Sequence, residues 1–421
     1  MTELPRFWYS GAVFFTQPHA FPYNGWDGDI MQTIKKAAVI LPGIMGSRLF
    51  AGENIYEDRK LKHNRDKLLW INAPDIYEFL KPTWSIHKRT QKITAGFGKI
   101  LSGSKRIDAL RCHPNGASVH RIVTSGLDDT PPCDCFTNIC RDTNTHRYGT
   151  AGIYTNLVTS LKKHLGAENA VFLSYDWRKP ITKAAAEIAS TLDSIAKRYD
   201  EVYLIAHSLG GLVACQYLST TLLSQKFKLI TIGTPFMGAP KALRILLTGN
   251  ALPAHFMHNA IQKTAHNISS VYELMPSRLY TENFPFIKLI RKRTIRSVTL
   301  NALETLAYLK TAGLNIALYA QAQNFHAGHN FTSLFNESGN AFAVVGDGIK
   351  TETSITVSEK QHFIYYPTTT KKGDGTVPTT SATMNGQINN DRIFYVKESH
   401  SDLPSNKKVV NLVKSKIDNW F

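Results

Sequence analysis

The segment Val202-Tyr-Leu-Ile-Ala206-His207-Ser208-Leu209-Gly210-Gly211 constrains what this chain can fold into more than any other. Its first residues read as a buried strand, and Leu209 to about Leu223 repeats apolar residues at helical spacing, so Ser208 stands at a turn between strand and helix. Such a turn is sharp and strained, and tolerates only small residues two positions away on either side. Ala206 and Gly210 occupy those positions, Ala206 being a mild variant of the usual Gly. A capping serine on an ordinary turn would give a similar pentapeptide. The strand before and the helix after are the context a nucleophile needs, because they hold its hydroxyl above the sheet edge, over a helix N-terminus. Ser208 is therefore the candidate nucleophile.

The rest of the chain repeats this strand-helix rhythm. Ala37 to Leu41 is a short apolar run ending at Pro42-Gly43. Ile153 to Leu165 is amphipathic at helical spacing and leads into the strand-like Ala170 to Ser174. Ile181 to Tyr199 predicts the next helix, Val202 to Ala206 the next strand and Phe227 to Ile232 another. Strand-like segments resume at Ala341 to Val345, His362 to Tyr366 and Arg392 to Val396, and a helix from about Asn406 closes the chain. Alternation of this kind implies a mostly parallel sheet with helices on both faces, assembled here from distant pieces of chain. Two stretches depart from it. Residues 50–150 lose periodicity and collect Lys, Arg, Pro and Cys, and residues 236–340 are mostly helical in pattern. They read as a lid and a cap inserted into one domain over 31–421, with an aromatic-rich appendage over 1–30. With a serine on such a turn, the expected class is an α/β-hydrolase fold.

A serine nucleophile needs a general base and a group that orients it, which in this fold follow it as Asp or Glu, then His. Asp374, in the Gly-rich turn Lys372-Gly-Asp-Gly-Thr-Val-Pro378, suits the acid. Asp347, in Val345-Gly-Asp-Gly348, has similar flanks but precedes a strand-like segment and reads as a turn residue. His400 lies between the strand-like 392–396 and the last helix, where a base must sit to reach Ser208. His207 leaves the turn in another direction and reads as a residue that packs against or tunes the elbow. Acyl chemistry also needs two backbone N–H donors for the developing oxyanion. Leu209 supplies one, and Ile44 in the turn Leu41-Pro-Gly-Ile-Met-Gly-Ser47 the other, with Met45 as the alternative. Such a site needs no metal and no other cofactor.

The 421 residues, with 43% hydrophobic and 19% charged, exclude a disordered or coiled-coil chain. No uninterrupted apolar run is long enough to span a membrane, and the N-terminus shows no secretory leader, so the expectation is a cytoplasmic or peripheral membrane location. A formal charge of +17 favours anionic partners. Much of it lies in Lys99 to Arg111 and in Lys288, Arg291, Lys292, Arg293 and Arg296, within the lid and cap. No nucleic-acid-binding motif accompanies the charge, so an anionic membrane surface is the expected partner and nucleic acid is not. Of the cysteines, Cys133, Cys135 and Cys140 cluster near His113, His120 and His146. Zinc or a disulfide are the alternatives there to plain reduced thiols, and the spacing does not follow the usual paired zinc pattern.

One further set of motifs is more specific. Pro42-Gly-Ile-Met-Gly-Ser-Arg-Leu49, Ser174-Tyr-Asp-Trp-Arg178, Ala206-His-Ser-Leu-Gly-Gly211, Gly233-Thr-Pro235, Gly373-Asp-Gly-Thr-Val-Pro378 and His400, in that order, resemble the lecithin:cholesterol acyltransferase family. That family also holds lysosomal phospholipase A2, phospholipid:diacylglycerol acyltransferase and bacterial lipases. The resemblance spans about 36–420, loosely over the two excursions. It implies Ser208, Asp374 and His400 as the catalytic residues, Ile44 and Leu209 as oxyanion donors, and a lipid or phospholipid ester as substrate, cleaved by water or passed to an alcohol. Residues 50–150 and 236–340 would frame an acyl-chain track. A soluble carboxylesterase or thioesterase acting on small substrates is the alternative. Asp176 and Arg178 would pair to brace the sheet edge, or would touch substrate.

Overall fold

The computed structural model describes residues 34–52, 68–70, 108–124, 127–128, 150–250, 258–291, 296–358 and 366–420. The chain divides into a unit Met1–Ile34 and a unit Lys35–Phe421, and everything below concerns the second. The expected appendage over 1–30 lies outside the described residues, as does most of the expected lid.

In chain order the strands are β1 (Lys36–Leu41), β2 (Leu49–Ala51), β3 (Leu68–Trp70), β4 (Ile122–Val123), β5 (Leu127–Asp128), β6 (Ala170–Leu173), β7 (Glu201–His207), β8 (Phe227–Ile232), β9 (Ile287–Ile290), β10 (Ser297–Thr299), β11 (Ala341–Gly346), β12 (Thr351–Ser358), β13 (Tyr366–Thr370) and β14 (Ile393–Val396). The main sheet has seven strands in the order β14-β11-β8-β7-β1-β6-β5. All its pairings are parallel except that of β5 with β6 at one edge.

Alternation of side chains on the central strands builds two cores from one sheet. Ala37, Val39 and Leu41 of β1 and Val202, Leu204 and Ala206 of β7 point into one. Helices α2 (Ile181–Arg198) and α3 (Leu209–Leu218) cover that face with Ile188, Leu192, Leu212 and Val213. Ala38, Ile40, Tyr203 and Ile205 point into the other, under Leu157, Val158 and Leu161 of α1 (Thr150–Leu165) and Val409, Val413 and Ile417 of the last helix, Lys407–Asp418. Because both faces are covered, the central strands are apolar without interruption, which is why they were legible as short apolar runs.

The second excursion carries α4 (Pro240–Thr248), α5 (His258–Ala265), α6 (Ser269–Glu273) and further helices up to Thr332–Asn336. It is not wholly helical: β9 and β10 pair antiparallel, placing Lys288 on a strand. These two join β12 and β13 in a separate four-stranded sheet ordered β10-β9-β12-β13. Of the strand expected at His362 to Tyr366 only Tyr366 lies within the described residues, where it opens β13 of this second sheet, and β12 escaped the sequence reading because its Thr- and Ser-rich run offers only Ile355 and Val357 as apolar alternation. The helix expected to reach Leu223 ends at Leu218. No helix among the described residues is long and apolar enough to cross a membrane.

Candidate active site

Ser208 sits at φ 53°, ψ −123°, in a region that side-chain-bearing residues avoid, between the last residue of β7 and the first of α3. Its N–H donates to the Ile232 carbonyl at 2.9 Å, which pins the turn to β8. Smallness around it follows from contact: a Cβ on Gly210 would lie 2.5 Å from the Pro42 carbonyl oxygen, and one on Gly43 would lie 2.9 Å from Ser208 Cβ. The loop after β1 and the elbow are thus packed backbone to backbone.

The other two predicted residues meet Ser208 across the sheet edge. His400 Nε2 is 2.9 Å from Ser208 Oγ, and its Nδ1 is 2.7 Å from Asp374 Oδ2. Asp374 is almost fully buried, and its other oxygen accepts from the Thr376 and Val377 N–H groups at 2.9 and 2.7 Å. The His400 N–H donates to the Asp374 carbonyl at 2.8 Å, so backbone and side chain hold the pair together. With the carboxylate taking Nδ1–H, Nε2 is left with a lone pair facing the serine hydroxyl. Asp347 is elsewhere: its Oδ1 accepts from the Gly373 N–H at 3.1 Å and the Thr379 hydroxyl at 3.0 Å, supporting the loop that carries Asp374.

Leu209 opens α3, so its N–H has no intrahelical acceptor. In the loop after β1, the Gly43 N–H is engaged by Tyr154 Oη at 2.8 Å and the Gly46 N–H by the Gly43 carbonyl at 3.0 Å. No hydrogen bond engages the Ile44 N–H among the described residues, and Met45 follows it with a left-handed φ of 65°.

A cavity of about 470 Å³ opens beside Ser208 and His400. Ile44 and Leu110 contribute to its wall, with Trp177, Ile245 of α4 and Ile268, Val271 and Leu274 around α6, so apolar side chains dominate. Lys241 is the one Lys or Arg among its lining residues and is half-buried; Nζ donates to Thr376 Oγ1 at 3.0 Å, and desolvation pushes its pKa down. Sequence reasoning missed Lys241, whose setting on α4 shows no local signal.

The Ser174-Tyr-Asp-Trp-Arg178 stretch braces this site. Asp176 and Arg178 form a buried bidentate pair, Nη2 to Oδ2 at 2.6 Å and Nε to Oδ1 at 2.9 Å. Arg178 Nη1 also reaches the Leu110 carbonyl at 3.1 Å and Ser118 Oγ at 3.0 Å, fastening a piece of the first excursion. Tyr175 donates its hydroxyl to the Pro42 carbonyl at 2.7 Å and so holds the loop after β1. Bracing is therefore what the ion pair does here. Cys133, Cys135 and Cys140 lie outside the described residues, and the described ones include no cluster of three or more potential metal ligands. Cys112 and Cys215 are free and buried.

Fold and elbow together define an α/β-hydrolase. The family model for lecithin:cholesterol acyltransferase matches residues 144–292. The resemblance read from the motifs holds over that part, which includes Tyr175 to Arg178, Ser208 and Gly233 to Pro235 but neither Asp374 nor His400. The structure of a Tle4-Tli4 complex is similar over 91% of this chain and 98% of that chain, at 14% identity and a TM-score of 0.58, a likeness of fold. The mature form of Bacillus licheniformis lipase BlEst2 aligns over 61% of this chain and 82% of its own, at 13% identity and a TM-score of 0.31. No curated protein matches significantly.

Proposed function

We propose that this protein is a serine hydrolase or acyltransferase of lipid acyl esters. The observation that carries the reading is the hydrogen-bonded chain Ser208-His400-Asp374 at the mouth of an apolar cavity. Ser208 Oγ attacks the ester carbonyl while His400 Nε2 takes its proton. The Leu209 and Ile44 N–H groups receive the oxyanion. His400 then protonates the leaving alcohol, and Asp374 holds the imidazole tautomer throughout. The acyl group rests on Ser208, its chain in the cavity, until water or an alcohol takes it. A cavity of 470 Å³ lies within the range of small-molecule sites and is lined for a hydrocarbon chain rather than a polar substrate. The matching family supports an ester-acting enzyme. Residues 50–150 and 236–340 act as lid and cap around the track, and the basic residues they carry favour peripheral work at an anionic lipid surface.

Fluorophosphonate labelling with peptide mapping tests this. Ser208 should carry the adduct, and Ser208→Ala should abolish both labelling and turnover, a loss of roughly 10⁶. Acyl-chain profiling on monomeric esters and on anionic vesicles follows. A preference for short, soluble esters with no vesicle binding would favour the small-substrate esterase instead.

A further inference from the structure

His207, beside the nucleophile, and Tyr154 of α1 are both buried, and neither belongs to the chain that would carry protons. They make a second chain behind it. The Gly43 N–H donates to Tyr154 Oη at 2.8 Å, Tyr154 Oη lies 2.8 Å from His207 Nδ1, and His207 Nε2 lies 3.0 Å from the His400 carbonyl oxygen. The donor sense follows from the end groups. A carbonyl only accepts, so Nε2 carries the proton; burial and the neighbouring His400 push the His207 pKa well below its ordinary value, so the ring stays neutral and Nδ1 offers a lone pair. Tyr154, whose phenol burial keeps protonated, donates to that lone pair and accepts from Gly43. Every polar group in the run is used once, in one direction.

The ends of the run are what matter. Gly43 immediately precedes Ile44, the proposed oxyanion donor, and the His400 carbonyl belongs to the proposed base. The elements joined are otherwise far apart: 111 residues separate Gly43 from Tyr154, and 193 separate His207 from His400. The rings pack as well as bond, His207 to His400 at 4.8 Å between centroids and Tyr154 to His207 edge-on at 5.7 Å.

We propose that Tyr154 and His207 are positioning residues, a strap that holds the oxyanion loop and the base loop in register across Ser208. This rests on Ser208 being the nucleophile. Both residues also contribute to the cavity wall, but their polar atoms are spent on Gly43, on each other and on the His400 carbonyl, so loss of those bonds should alter the transition state's surroundings more than ester binding in the cavity.

Tyr154→Phe removes only the hydroxyl. The folded variant should lose about 10- to 100-fold in kcat on a p-nitrophenyl acyl ester, as expected of misplaced but surviving groups, with KM held within about threefold. The rate of fluorophosphonate labelling should fall by the same factor. His207→Gln keeps an acceptor and a donor on one planar group and should retain clearly more kcat than His207→Leu at equal folded fraction. A merely structural pair would lower thermal stability without separating kcat from KM and without ranking Gln above Leu. Folded Tyr154→Phe with kcat within about twofold of wild type would overturn the strap, as would activity that only tracks the folded fraction. If Tyr154→Phe does not fold, the His207 pair decides on the same terms, and failure of all three to fold makes the run a folding element and the proposal wrong. Wild-type protein that neither labels nor turns over ester overturns both readings; active wild type with unchanged variants overturns the strap alone.

Discussion

Asp176→Asn should cost about 3 to 5 kcal/mol of stability, because it strips the counter-charge from a guanidinium that water cannot reach. The Arg178 side chain is 1% exposed and the Asp176 side chain 4%. Two parallel N–H···O bonds join them, and the remaining guanidinium contacts, the Leu110 carbonyl and Ser118 Oγ, are neutral. An amide at 176 keeps the shape but turns an NH₂ toward one guanidinium nitrogen and leaves the charge unpaired. At about 2.1 cal/mol/K per residue, unfolding entropy for a chain of 421 residues puts the shift in Tm at roughly 3 to 6 °C. Urea unfolding followed by circular dichroism measures the free energy directly. The pair Asp176→Leu with Arg178→Met, which buries no charge, should recover much of the loss. There is a functional readout too. Leu110, whose carbonyl Arg178 holds, is part of the cavity wall, so the single variant should change acyl-chain preference more than it changes turnover of a short ester. A single variant within about 1 kcal/mol of wild type would mean that the pair is hydrated, since an exposed ion pair contributes no more than that.

Gly43→Ala should cut kcat by at least about 10²-fold, since the added methyl would lie 2.9 Å from Ser208 Cβ and 3.2 Å from His207 Nδ1 and must push the loop after β1, with the proposed oxyanion donor Ile44, away; ester kinetics on folded protein check it. Asp374→Asn should cost about 10⁴ in kcat, whereas Asp347→Asn, whose amide oxygen can still accept from Gly373 and Thr379, should stay within about tenfold of wild type; the reverse order would reassign the acid. Burial raises the pKa of Glu273 from 4.5 to about 8, so the folded state holds a proton that the unfolded chain has lost. Its contribution to stability is complete below pH 4.5 and disappears as pH rises through about 8, and Glu273→Gln should flatten the fall in stability over that window in urea titrations at stepped pH.

The residues that sequence alone located are those under local constraint. Ser208 is legible because a strained φ of 53° at a strand-to-helix junction demands small neighbours at fixed offsets, and Asp374 because its carboxylate is folded back onto the N–H groups of Thr376 and Val377 within one Gly-rich turn. The central strands β1 and β7 are legible because both faces are buried, leaving near-continuous apolar runs, and β8 because Leu229, Ile230 and Ile232 keep most of one. β12 and β13 are rich in Thr and Ser and lie in a small second sheet, so their apolar period is short, no more than Ile355 and Val357. β9 and β10 are short segments in a stretch dominated by helical spacing, and the basic residues between them suggest a solvated helix face as readily as a hairpin.

What stayed invisible has a common cause. Tyr154 reads as one more apolar position of an amphipathic helix, and its ring does pack that way, 5.4 Å from Phe172. Only the three-dimensional arrangement turns its hydroxyl toward Gly43 and His207, because the partners come from segments 111 and 53 residues away in sequence. Tyr175 is similar: the motif around it pointed to Asp176 and Arg178, while its own hydroxyl secures Pro42, 133 residues distant. Ser208 and Asp374 sit on sharp turns, and sharp turns leave a signature in neighbouring residues. Groups that hold those turns in register can be donated from anywhere in the fold, so their roles appear only when the backbone brings them together.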